Sequence, residues 1–263
     1  MPWDGAEWGD TGAVGDLEAR TASGPFRVLA LGVYLASREH LAPGIATELA
    51  RSRDWQVEQR WAALGAGPVP QALEALTVLR TQGPVSKFQL INQLLAGVDL
   101  SGYGQLLVTD DDITLPSGFL DRYLGLVERH GLALAQPARS HDSSMDLGFV
   151  EQLDGLDARQ TRYVEIGPLF SIRRQAFPHL LPFDETPPMG WGLDFTWPVV
   201  LERAGLRLGV VDATPVSHCL RRQAAFYSGH QSLEAMASYL ASRPHLSRVE
   251  AFTIVEPYAE RQA

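Results

Sequence analysis

The sequence predicts an α/β fold with a largely parallel sheet, and three observations carry that prediction. Apolar runs of buried-strand length recur along the chain, as in "FRVLALGVYLA" and "GQLLVTD". Segments with helical spacing and recognisable ends lie between them. Strand and helix patterns alternate to about residue 138, as βα units do.

Taken in order, "FRVLALGVYLA" is the first strand, and Ser37 is placed to cap a helix through "HLAPGIATELARS". "WQVEQRWAAL" alternates as a second strand, and "ALTVLRT" reads as a third. "SKFQLINQLLAG" puts Phe88, Ile91, Leu94 and Leu95 on one helical face and stops at Gly97. The strand "GQLLVTD" follows. "PSGFLDRYLGLVERHG" is then a helix capped by Ser117 and ended by Gly131, and "LALAQPA" is another strand. Residues 139–160 are polar and rich in Gly and Asp, so a loop is expected there. "TRYVEIG" reads as a strand, "GWGLDFTWPVVLERAG" as a helix stopped by Gly205, "LRLGVVDATPVSH" as a late strand and "HQSLEAMASYLAS" as an outer helix. These boundaries imply one domain over residues 25–242, an acidic leader without structure over 1–24, and a C-terminal tail over 243–263.

Composition narrows the function. The 263 residues are 45% hydrophobic and 20% charged, as in ordinary globular proteins. A net charge of −9 argues against nucleic acid or an anionic membrane as partner. No apolar run approaches the roughly 20 residues of a transmembrane segment, and no signal-peptide pattern opens the chain, so a cytoplasmic location is expected. The single cysteine, Cys219, rules out an internal disulfide and reads as a small buried residue. Of the 22 basic residues only Lys87 is a lysine.

The stretch "LLVTDDDITLP" runs an apolar strand into three aspartates. In open α/β sheets ligands bind beyond the carboxyl ends of the strands. Crowded carboxylates repel, and a divalent cation such as Mg²⁺ or Mn²⁺ relieves that repulsion while bridging to substrate phosphates. In extended backbone Asp110 and Asp112 share a side and Asp111 faces away. The bland alternative is a solvated acidic turn. "DDDIT" also matches the Asp-x-Asp-x-Thr of haloacid-dehalogenase-type phosphatases. Those enzymes need a downstream lysine, absent after residue 87, and carry the motif after their first strand.

Together, "RVLALGVYLA", "SKFQLINQLL", "LLVTDDDI", "GWGLDF" and a His closing a strand resemble, in chain order, the nucleotide-sugar glycosyltransferases of the GT-A fold, as in glycosyltransferase family 2-like enzymes. "MGWGLDFTWPVVLERAGLRLGVVDATPVSH" is similar to an uncharacterised GT-A-like family with a Trp-Gly-x-Asp helix start. The resemblance spans about residues 26–220. It implies a Rossmann-like three-layer α/β/α sandwich with a mostly parallel central sheet, and a metal-dependent, inverting transfer of a sugar from a UDP- or GDP-linked donor to a hydroxyl acceptor.

The resemblance also implies roles. Asp112 would hold Mn²⁺ or Mg²⁺, Asp110 the ribose or a metal-bound water, and His218 would complete the metal site, with Asp111 in the same nucleotide-sugar region. Asp194 would be the general base, or merely a helix-start carboxylate favoured by the dipole. Gly190 and Gly192 would admit the substrate closely, Trp191 would stack on a sugar, and Glu165 would meet the acceptor. Lys87 and Asn92 would line the nucleotide, unless Lys87 is only an exposed helix residue. Ser37 and Arg38 would sit by the base, unless Ser37 only caps a helix. Arg221 and Arg222 would clamp the diphosphate, unless they serve surface charge pairing. A non-catalytic GT-A-like protein that binds a nucleotide-sugar or glycan is the alternative.

Overall fold

The computed structural model describes residues 26–83, 85–144, 147–221 and 229–259. The predicted leader at 1–24 and Arg222 lie outside them. Strands are β1 (Phe26–Leu35), β2 (Trp55–Leu64), β3 (Thr77–Thr81), β4 (Gln105–Thr109), β5 (Leu132–Arg139), β6 (Leu156–Thr161), β7 (Leu169–Arg173), β8 (Arg207–Val216) and β9 (Ile254–Ala259). Helices are α1 (Ala42–Ala50), α2 (Lys87–Leu95), α3 (Phe119–Arg129), α4 (Phe177–Leu180), α5 (Leu193–Arg203), α6 (Gly229–Ala241) and α7 (Arg248–Ala251).

The strands form one sheet in the order β3-β2-β1-β4-β7-β5-β8-β6-β9. It is mixed rather than mostly parallel. β2–β3, β1–β2, β1–β4 and β5–β8 pair in parallel, while β4–β7, β5–β7, β6–β8 and β6–β9 are antiparallel. The cause lies in residues 162–168. They deliver the chain to the end of the sheet where β4 finishes, so Leu169 pairs with Thr109 and β7 must run back.

Helices cover both faces. On one, Ile45 and Leu49 of α1 and Phe119, Tyr123, Leu124 and Val127 of α3 bury against the sheet. On the other, Phe88, Ile91 and Leu94 of α2 pack with Leu193, Trp197 and Leu201 of α5. Fully burying each such side chain is worth about 1.5–3 kcal/mol.

Local signals explain most helix ends and correct two. Ser86 caps α2 in a reciprocal capping box with Gln89. Ser37 caps nothing, because α1 starts later, after Leu41, with a proline in its first turn. The α3 cap is Gly118, in the left-handed region at φ 69°, rather than Ser117. The expected loop at 139–160 contains all of β6 but its last residue, and most of "TRYVEIG" is irregular. Residues 248–259, expected in a tail, supply α7 and the edge strand β9. Cys219 is exposed.

Candidate active site

The three aspartates follow directly after β4. Asp110 N–H donates to Pro168 O at 2.7 Å, which extends the β4–β7 pairing by one bond. Two residues past Asp112, Thr114 forms an antiparallel bridge with Ser217. That bridge brings the end of β8 to the aspartates and sets His218 against Asp112.

Each aspartate has its own partners. Asp110 Oδ1 lies 2.7 Å from Lys87 Nζ, at the first residue of α2. Lys87 Nζ also donates to Ile166 O at 2.8 Å. Gly167 makes room for this pair, since a Cβ there would fall 2.6 Å from Asp110 Oδ2 and 2.8 Å from Lys87 Nζ. Asp111 is buried and turned toward β1. Its Oδ2 accepts from Leu35 N–H at 2.7 Å and its Oδ1 accepts from the Arg221 guanidinium. Burial pushes its carboxyl up to about 6 despite these bonds. In this structure Asp111 therefore braces the end of β1.

Asp112 Oδ2 lies 3.2 Å from His218 Nε2 and 3.3 Å from Arg221. Burial raises this carboxyl, but His218 and Arg221 outweigh burial and hold it below its ordinary value. Its other oxygen, Oδ1, is buried and has no hydrogen-bond partner. Arg221 also donates to Glu39 O at 2.9 Å, so its guanidinium is engaged by two aspartates and a loop carbonyl.

Behind His218 stands Arg139, fully buried at the end of β5. One guanidinium nitrogen lies 2.8 Å from His218 Nδ1. The other donates to Glu165 Oε2 at 2.9 Å and to Gly167 O at 3.3 Å. Arginine only donates, so Nδ1 of the neutral ring accepts and Nε2 carries the proton given to Asp112. Burial raises the Glu165 carboxyl, and the Arg139 charge opposes that rise.

A divalent cation would find an unpartnered oxygen, Asp112 Oδ1, and a second donor in His218 Nε2 if the ring proton moves to Nδ1 and the Arg139 guanidinium turns from that nitrogen. Among the described residues no group of three or more His, Cys, Asp or Glu side chains is arranged to hold a metal by itself.

Asp194 opens α5, within "GWGLD". Gly190 and Gly192 both adopt positive φ, at 78° and 103°, which only glycine takes without strain. A Cβ on Gly192 would lie 2.9 Å from the Tyr239 ring. This tight turn lets the Gly192 N–H donate to Asp194 Oδ1 at 3.1 Å, while Tyr163 OH donates to Oδ2 at 2.8 Å. Burial pushes the Asp194 carboxyl up to about 7. The two hydrogen bonds pull it down, and the charge of Glu165 pushes it further up. That is a suitable range for a proton acceptor near neutral pH. Trp191 beside it is half-buried.

Other expected residues have other surroundings. Ser37 and Arg38 lie in the turn after β1. There Gly67 lets the loop after β2 approach so closely that a Cβ would fall 1.8 Å from Ala36 O. The Asn92 amide is occupied at loop 183–185, donating to Phe183 O at 2.9 Å and Glu185 at 2.7 Å and accepting from Phe183 N–H at 3.0 Å. Sequence reasoning missed Arg139 and Tyr163. The one available signal for Arg139 was a lone arginine ending the apolar run "LALAQPAR".

No protein-family model matches the chain, and no curated protein matches its sequence. Solved structures do. Glucosyl-3-phosphoglycerate synthase from Mycobacterium tuberculosis, in complex with Mn²⁺, UDP and glucosyl-3-phosphoglycerate, superposes with a TM-score of 0.54 at 15% identity, over 94% of this chain and 88% of that one. Residues 1–349 of S. aureus TarS, with UDP-GlcNAc, give 0.51 at 11% identity over 85% and 69%. GalNAc-T7 with UDP, GalNAc and Mn²⁺ gives 0.52 at 10% identity over 76% of this chain and only 45% of that one. The chain thus spans less than half the length of GalNAc-T7. The fold is that of the GT-A glycosyltransferases.

Proposed function

We propose that this protein is a metal-assisted glycosyltransferase that moves a sugar, with inversion, from a nucleoside-diphosphate donor to a hydroxyl acceptor. The observation that carries this reading is Asp112. Its buried, unpartnered Oδ1 lies at the end of β4 beside His218 and Arg221. Structures with this fold that were solved with UDP or UDP-GlcNAc, two of them with Mn²⁺, support it. They favour UDP over GDP as the donor nucleotide.

Asp112 and His218 would hold the Mn²⁺ or Mg²⁺. The cation's contribution is Lewis-acid stabilisation of the departing diphosphate. The chain's own residues do the rest. Lys87 neutralises Asp110 and holds it beside Gly167, where a ribose or a metal-bound water would meet it. Arg221 hands its guanidinium from the aspartates to the incoming phosphates, for which a planar fork of donors is well shaped. Asp194, deprotonated, accepts the proton of the attacking acceptor hydroxyl. Trp191 offers a flat face to a sugar, and Glu165 with Arg139 borders the acceptor side.

The phosphatase alternative is disfavoured by the fold, in which the D-x-D follows the fourth strand of the sheet.

Calorimetry with UDP and GDP, with and without Mn²⁺, tests the proposal. Binding is expected to depend on the metal and to weaken at least about 100-fold in Asp112→Ala, since losing one carboxylate removes a charged ligand. Equal binding by Asp112→Ala would refute the assignment.

A further inference from the structure

Tyr163 stands in an aromatic box built from distant parts of the chain. Its ring meets Phe252 edge-on at 4.9 Å, Phe195 at 5.5 Å and Phe149 at 6.2 Å. Phe149 and Phe252 stack on each other at 5.2 Å, closing the box. Phe252 comes from the C-terminal segment, which is fastened at two places. Leu246 N–H donates to Phe195 O at 3.0 Å. Arg162 N–H donates to Thr253 O at 3.2 Å.

A phenylalanine would fill this box equally well. The hydroxyl is therefore the feature to explain, because a buried hydroxyl is unfavourable unless it is hydrogen-bonded. It donates to Asp194 Oδ2 at 2.8 Å. With the Gly192 N–H on Oδ1, both oxygens are fixed in direction, and each keeps a further lone pair.

We propose that Tyr163 is the positioning residue of Asp194, and that the C-terminal segment from Leu246 to Phe252 keeps it in place. This rests on the reading of Asp194 as the general base. The other groups around the pair are Glu165, whose charge acts on Asp194 and Tyr163, and Arg248, whose charge acts on Tyr163. Tyr239 reaches Thr196 of α5 at 3.4 Å from α6, with Asp184 and Arg243 behind it. Among these groups Tyr163 is the one whose hydrogen bond favours the ionised carboxylate.

The test follows the Asp194 carboxyl directly in the full chain, by ¹³C NMR of aspartate-labelled protein, with the signal assigned by its loss in Asp194→Asn. In Tyr163→Phe the titration midpoint is expected to rise by about one pH unit, the size of one hydrogen bond to a charged group. Phe252→Leu, which keeps the box apolar but loosens it, is expected to shift the midpoint in the same direction and by less. An unchanged midpoint in a folded Tyr163→Phe protein overturns the proposal.

The rate of sugar release from the donor separates the two ideas. If its acid limb moves with the carboxyl midpoint while KM for the donor stays constant, Tyr163 positions the base. If the carboxyl midpoint moves and the acid limb does not, the pairing stands and the base reading of Asp194 fails.

Discussion

Asp194→Asn is expected to lower kcat by about 10²–10⁴-fold, the usual contribution of a general base, with UDP binding unchanged. The same substitution is expected to stabilise the protein. The folded-state carboxyl is raised to about 7, far above an unfolded aspartate near 3.8, so the native fold favours the neutral form. Ionisation therefore costs native stability progressively as pH rises from about 4 to 7, and the cost then stays constant. Its full size is on the order of 4 kcal/mol. Asparagine removes that cost while it still accepts from the Gly192 N–H. Thermal melts should show Asp194→Asn gaining on the natural protein from pH 5 to pH 7 and holding its lead above. A variant that loses stability across this range would show that the carboxylate is a structural support rather than a strained functional group.

The second large effect concerns Arg139. Arg139→Leu is expected to destabilise the fold by about 3–5 kcal/mol, because it leaves Glu165 charged and buried without its partner. It also removes the side chain that stands behind the His218 ring and sets its position, so metal-dependent UDP binding should weaken together with stability. The pH dependence has a definite sign. Glu165 already has a raised carboxyl, and losing the arginine raises it further. Protonation then relieves the buried charge, so the defect should shrink as pH falls from 7 to 5. The double variant Arg139→Leu/Glu165→Leu should recover part of the stability but none of the nucleotide binding. Denaturant melts of the two single variants and the double variant at both pH values check this, and a double variant as unstable as Arg139→Leu would contradict it.

Sequence pattern carries β1, β2, β4 and β5 well. β1, β4 and β5 are apolar runs with clear ends, β2 alternates, and the α2 capping box is written in "SKFQ". It fails where burial and polarity part company. β6, "LDARQT", looks like loop, yet Arg159 is buried because it pairs with Asp212 of β8 at 3.4 Å. β9, "IVEPYA", is a mostly exposed edge strand with a proline in it and no alternation to mark it. Neither β7, "LFSIR", nor its direction is legible in the sequence, because the run is short and buried on both faces and only the path of 162–168 decides how it runs.

The candidate site divides in the same way. The aspartates are legible because their charge is concentrated within three consecutive residues. Asp194 is legible because glycines flank a helix start. Arg139 and Tyr163 were not, because their meaning lies in partners far along the chain. His218 is 79 residues from Arg139, and Asp194 is 31 from Tyr163. A buried arginine or tyrosine carries no local mark of the carboxylate that it serves.

The role proposed for Asp112 is to anchor a cation and a nucleoside diphosphate at the end of β4. Crystals grown with UDP and Mn²⁺, with data collected at the manganese edge, test this. An anomalous manganese peak is expected within bonding distance of Asp112 Oδ1, with the UDP phosphates on the same ion and Arg221 swung from Asp111 toward them. UDP bound elsewhere on the molecule, or bound at β4 with no manganese at Asp112, would contradict it.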